Sequence, residues 1–142
     1  MTYTSLDELI DRYGENMLIA LTDRGDAATG LVDLDTVNQA IAEADAVIDG
    51  FLKGRYQLPL SEVPAQVPPL SRAIAIWKMH LYEAPKQIEA EYREAMTQLR
   101  DIAKGVIVLD VAGVTPKTNS SQGVMTTDRE RPLTQDSLRG WI

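Results

Sequence analysis

The chain has 142 residues, 44% hydrophobic and 25% charged, with a formal net charge of −7 and no cysteine. That length suits one domain with a modest core, and the missing thiols exclude disulfides, thiolate metal sites and a cysteine nucleophile, as fits a reducing cytosol. No run of about 18 apolar residues offers a membrane span, and the opening "MTYTSLDELIDRYG" has neither a basic leader nor an apolar signal core, so export is not expected.

The charge is unevenly spread. Residues 1–50 hold 11 acids and 2 bases, net −9, whereas 51–110 and 111–142 are each net +1. An acidic first third does not suit contact with a phosphate backbone. It reads first as a solvated face. The sharper reading is an oriented subunit surface that meets a less acidic neighbour, because charge asymmetry steers association.

Ser5 followed by Glu8 forms a capping-box pattern, and Leu6, Leu9, Ile10 and Tyr13 then keep one face apolar. Gly14 interrupts, and "ENMLIAL" predicts a second helical piece. The glycine- and aspartate-rich "TDRGDAATG" is a loop; its Arg24-Gly25-Asp26 letters carry no adhesion role in a cytosolic protein. Asp33 or Asp35 can cap the next helix. There Val37, Ala40, Ile41, Ala44, Val47, Ile48, Phe51 and Leu52 fall within an arc of roughly 140° at helical spacing. Asp49 and Lys53 form an acid-before-base i,i+4 pair, and Gly54 is placed to end the helix in the left-handed conformation.

Residues 57–69, "QLPLSEVPAQVPP", carry four prolines and cannot form a helix interior. Pro69 can open the following helix, "LSRAIAIWKMHLY". Leu70, Ala73, Ile74, Trp77 and Leu81 mark one face of it, with Ala75, Ile76 and Met79 on the others. A helix apolar nearly all round is central in its domain or shared with a partner. Pro85 opens the last helix, to about Lys104, with Glu89 and Arg93 paired on its charged side and Gly105 as its stop. "VIVLD" then reads as a short strand or extended segment. From Val111 the chain turns polar and should be flexible, until "RPLTQDSLRGWI" regains Leu133, Leu138, Trp141 and Ile142. An apolar end on a polar tether predicts a docking tail. The expectation is an all-α fold: a bundle of about four helices in residues 1–110, a short extended segment, and an extended C-terminal docking arm in 111–142.

Motifs for catalysis are missing. HExxH, GxSxG, a phosphate loop and a dinucleotide glycine pattern do not occur. His80 is the single histidine and lies within the most apolar helix, where a half-buried, hydrogen-bonded imidazole is expected rather than a base or ligand. Asp7 with Asp11, and Asp45 with Asp49, bring carboxylates together at i,i+4, but two acids without further ligands read as exposed acidic faces. Neither enzyme activity nor a metal or cofactor is expected. Arg55, Arg72, Lys78 and Lys86 are spread over different faces, and Trp77 and Tyr82 read as packing residues, so a basic stripe for DNA does not form. A DNA-binding helix-turn-helix packaging or regulatory protein is the alternative.

The run "IDGFLKGRYQLPL", then "VPPLSRAIAIWKMHLY", then "LRDIAKGVIVL" resembles the gp36-type family of Mu-like phages and prophages over roughly residues 1–110. "RYQLPL", Arg55 to Leu60, is the most distinctive element; "TSLDELIDRYG" supports it, and "RPLTQDSLRGWI" resembles the family's ending less closely. The resemblance implies a structural head-completion protein or head–tail adaptor. Such a protein forms a homo-oligomeric ring, twelvefold in the particle, below the portal protein. The ring lengthens the DNA channel and gives the stopper or tail-completion protein a platform, while DNA passes without sequence recognition. The implied location is the virion neck, with the host cytoplasm before assembly, and C-terminal segments leave their own subunit to pack on the portal or a neighbour. For Arg55 two roles are open: bonding the terminal carbonyls of its own helix, or pairing with a core carboxylate. Tyr56, Leu58 and Leu60 read as fixing the turn onto the bundle, with subunit contact as their second role. The acidic first third would border the channel and repel DNA phosphates.

Overall fold

A computed structural model of the chain describes residues 1–110. The docking-arm residues Leu133, Leu138, Trp141 and Ile142 lie outside the described residues. The described part is all helical, with five helices: α1 Leu6–Tyr13, α2 Glu15–Thr22, α3 Leu34–Leu52, α4 Val67–Met79 and α5 Lys86–Lys104. Gly14, at φ 89°, separates α1 from α2, as expected of the glycine between two helical pieces.

Ser5 caps α1, its hydroxyl accepting from the Glu8 amide at 3.4 Å. The Glu8 carboxylate, expected to reach the Ser5 amide, accepts instead from the Thr4 hydroxyl at 2.7 Å. Asp33 is the cap of α3, accepting from the Asp35 amide at 3.1 Å and the Thr36 hydroxyl at 2.6 Å. The end of α3 departs from the expected one. Gly54 does not take a positive φ; Gly14, Gly30 and Gly105 are the residues that do. The helix closes through Lys53, still in the right-handed conformation, and the Arg55 and Tyr56 amides both bond the Leu52 carbonyl, at 2.9 and 2.8 Å. Asp49 is engaged by the Tyr3 hydroxyl and not by Lys53, which stays exposed.

Helix α4 is the central one, in contact with α3, α5 and α1. Ala73, Ile74, Ala75 and Ile76 are all buried, which is the outcome its all-round apolarity predicts. It ends two residues short of Leu81. His80 turns extended, with Nδ1 2.8 Å from the Ile76 carbonyl. Leu81 therefore leaves the core face on which helical spacing placed it and is 65% exposed. Tyr82, read as a packing residue, is 90% exposed for the same reason. Trp77 is half-buried and stacks flat on Tyr92, with ring centroids 4.1 Å apart.

Two contacts fix the directions of the helices. The Arg55 side chain lies against Gly105, so the C-terminal ends of α3 and α5 share one end of the bundle. The Arg24 guanidinium donates to the Met79 carbonyl, so α4 finishes at the opposite end, beside the close of α2. Gly105 ends α5 at φ 81°, its amide bonding the Ile102 carbonyl; the Val106 and Ile107 amides both turn back to the Asp101 carbonyl, at 2.9 and 3.2 Å, before the chain continues to Asp110. No strand forms among the described residues. Ile107 and Leu109 pack on the core while Val106 and Val108 face out, so the segment has one covered and one open side.

Candidate functional site

The turn from Lys53 to Leu60 is a fastening between the end of α3 and the root of the C-terminal segment. Tyr56 is 1% exposed and Leu60 is buried; both sit in this chain's own core, with Leu58 packed at its edge. The Leu58–Pro59 peptide is cis. The Tyr56 hydroxyl accepts a hydrogen bond from the Leu109 amide at 3.0 Å, so a phenol on the turn satisfies a buried backbone donor 53 residues downstream. That bond and the burial of Leu109 hold the chain where it leaves the domain.

Arg55 completes the fastening in a way the sequence did not disclose. Its guanidinium covers Gly105, where an added Cβ would lie 2.3 Å from Nη1. Gly105 is thus required twice, by its left-handed backbone and by the cation resting on it. Neither expected role of Arg55 is seen among the described residues. It pairs with no carboxylate there, and its guanidinium rests on Gly105 at the C-terminal end of α5, beside the end of its own helix. A cation there is favoured by the helix dipole. The Arg55 Nε is buried and without a hydrogen-bond partner among the described residues.

A second fastening holds the other end of the chain. Asp45, on the inner face of α3, accepts from the Tyr3 amide and from the Ser71 hydroxyl, each at 3.2 Å, while Asp49 accepts from the Tyr3 hydroxyl. The reading of Asp45 and Asp49 as an exposed acidic face is therefore wrong. Asp45 is 7% exposed, because four residues after Ile41 and three before Ile48 it lies on the buried stripe. That spacing was the available signal. Burial pushes the Asp45 carboxyl up, against the lowering effects of the Tyr3 amide, the Ser71 hydroxyl and the N-terminal ammonium. Burial, with Asp49 beside it, also raises the Tyr3 hydroxyl. Asp7 and Asp11 are exposed as expected.

Further polar groups pair along α1, α4 and α5. A groove of about 370 Å³ between α1, α4 and α5 is lined by Arg12, Tyr13, Arg72 and Glu91 among others. Glu91 accepts from Arg12 at 3.3 Å and from the Tyr13 hydroxyl at 3.1 Å; Arg72 reaches Glu8 at 3.4 Å. Burial and the Glu91 carboxylate push Tyr13 up to about 12. In the α2–α3 loop, the Gly30 and Thr29 amides and the Thr29 hydroxyl donate to Asp23 and hold its carboxyl below the usual range. No cluster of three metal-ligating side chains occurs among the described residues, and no described helix is long and apolar enough to cross a membrane.

Residues 3–127 match the family described as Bacteriophage Mu, Gp36, a span that contains both fastenings and passes beyond Asp110. The chain belongs to that family. It is 28% identical to "Gene product J" of Escherichia phage Mu over 142 residues, the whole of both chains. It is also 27% identical to "Mu-like prophage FluMu protein gp36" of Haemophilus influenzae over 140 residues, 99% of this chain and 98% of that one. These matches run further than the resemblance in residues 1–110 suggested. The most distinctive element of that resemblance, "RYQLPL", is the turn that fastens the C-terminal root.

Proposed function

We propose that this member of the phage Mu Gp36 family is a noncatalytic structural protein of phage morphogenesis, acting as a head–tail adaptor. In this reading copies assemble as a ring, twelvefold in the particle, below the portal at the virion neck. The ring extends the DNA channel and carries the stopper or tail-completion protein. The observation that carries the reading is family membership across the whole helical domain, joined to the use that domain makes of its signature turn. Arg55 and Tyr56 fix residues 105–109 at one end of the bundle. The remaining 32 residues, 111–142, start from that fixed root. A helical body with a fixed root for its C-terminal segment suits a part that works by presenting shape.

Affinity-labelled protein imaged on purified particles tests this directly. Density for the label at the neck is the expected result; full-length protein absent from particles that are otherwise complete would end the reading. A gel-shift titration at two salt concentrations separates it from the DNA-binding alternative, since sequence-independent phosphate binding weakens steeply as salt rises. The adaptor reading expects no shift even at low salt.

A further inference from the structure

Among the described residues, seven large hydrophobic side chains are exposed: Met1, and six at the two ends of the helical bundle. One end, formed by the α2–α3 and α4–α5 loops, shows Leu31 at 68%, Leu34 at 56%, Leu81 at 65% and Tyr82 at 90% exposure. The other end, formed by the Lys53–Leu60 turn and the C-terminal root, shows Val106 at 73% and Val108 at 53%. The flanks of the described helices present no exposed large hydrophobic residue. The flanks offer large hydrophobic side chains that are half-buried, such as Trp77, Tyr92 and Met96, so the most exposed apolar surface for association among the described residues is at the ends.

Charge decides which end meets which. Residues 23–35 and 80–86 carry five carboxylates, Asp23, Asp26, Asp33, Asp35 and Glu83, against Arg24 and Lys86, and Arg24 is occupied by the carbonyls of Leu21 and Met79. Residues 53–66 and 100–110 carry four cations, Lys53, Arg55, Arg100 and Lys104, against Glu62, Asp101 and Asp110. Two loop ends face to face would bring carboxylates together, which is costly, whereas a loop end against a root end brings net −3 to net +1. Arg55, without a carboxylate partner among the described residues, stands at the root end where such carboxylates would arrive.

We infer that the occupant of each end is a second copy of this chain: the Leu81–Tyr82 loop end of one copy docks on the Val106–Val108 root end of the next. The contact is heterologous, the type that closes into a ring when its rotation permits. The inference rests on the ring reading above and adds to it the surfaces that meet. It also places the root of each C-terminal arm at a subunit boundary.

The cysteine-free chain permits a clean test by disulfide trapping. The two ends lie at opposite ends of the 19-residue α5, about 28 Å apart along a helix of that length. A disulfide needs Cα atoms within about 7 Å, so Tyr82→Cys and Val106→Cys cannot bond within one copy. Full-length single variants, mixed in equal amounts and mildly oxidised, should give crossed dimers at least about tenfold above either self-dimer, since 1.4 kcal/mol of preference is a factor of ten. The double variant should give a ladder of linked oligomers, and high salt should lower the crossed yield. Self-dimers of Tyr82→Cys equal to the crossed product would overturn the heterologous pairing. If an amine-reactive crosslinker shows copies associating while no crossed disulfide forms, the ends face the portal or the arm, and this inference fails with the ring intact. If neither reagent links copies, in solution or on particles, the ring reading falls and the inference with it.

Discussion

The two non-helical end segments of the described domain are fastened by opposite chemistry. At the N-terminus, Tyr3 is held through its amide and its hydroxyl by two carboxylates of α3, and Tyr3 and Thr4 are both buried. At the C-terminal root, a neutral phenol and an apolar contact hold Leu109, while Val106 and Val108 are left facing out. The first segment is committed to its own domain. The second is committed on one side only, and its other side is open to association. The contrast separates a device that closes the fold from one that presents a surface.

The largest effect should come from the root. Tyr56→Ala removes a buried ring and should lower stability by about 3–5 kcal/mol in chemical denaturation. Tyr56→Phe keeps the ring but strands the buried Leu109 amide, at about 1–3 kcal/mol. Its signature is faster hydrogen exchange at Leu109 that exceeds the rise set for the core helical amides by the loss of global stability. If Tyr56→Phe leaves Leu109 exchange untouched, the phenol is not the fastening.

Gly105→Ala should come next. A left-handed backbone costs an L-residue about 1–2 kcal/mol, and the new methyl would strike the Arg55 guanidinium. A double-mutant cycle isolates the second part: Gly105→Ala should be less damaging in an Arg55→Ala background than alone. Additive effects would mean that the guanidinium yields easily and that only the backbone requires glycine.

Much of this was legible beforehand, for identifiable reasons. The Ser5 and Asp33 caps, the apolar stripe of α3 and the all-round apolarity of α4 are local patterns, and local patterns survive folding. The pairing of Arg55 with Gly105 joins residues 50 positions apart and leaves no periodic trace. Gly54 looked like a helix stop because glycine often is one, yet Lys53 stays helical and the Leu52 carbonyl serves two amides, so no left-handed residue is needed there. Leu81 kept the helical spacing after the helix itself had ended at Met79, whose carbonyl accepts from Arg24, and apolar periodicity does not mark where a helix stops.

At the N-terminal fastening, Asp45→Asn should show its effect through pH. The folded-state carboxyl is raised, so its protonated form is the favoured one inside the protein. Its contribution to stability is therefore fully present below the ordinary aspartate range and is lost as pH rises through the folded value. The asparagine carbonyl can still accept from Tyr3 and Ser71 without carrying a buried charge. The variant should thus gain on the natural protein at neutral pH, and the gap between their melting temperatures should narrow as pH falls toward 4, near the usual aspartate value. A gap that widens on acidification would show that the ionised Asp45 stabilises this segment.

The smallest effect on folding is expected from removing residues 111–142. Every described helix, both fastenings and the whole described core lie within residues 1–110. Leu109, the last buried residue among those described, remains with its bond to Tyr56. The shortened chain should keep its helical circular dichroism and melt within a few degrees of the full one, while losing association with portal or sibling copies. A collapse of the melting temperature would place the arm in the fold of its own domain, and the C-terminal root would then resemble the N-terminal segment, closed on both sides.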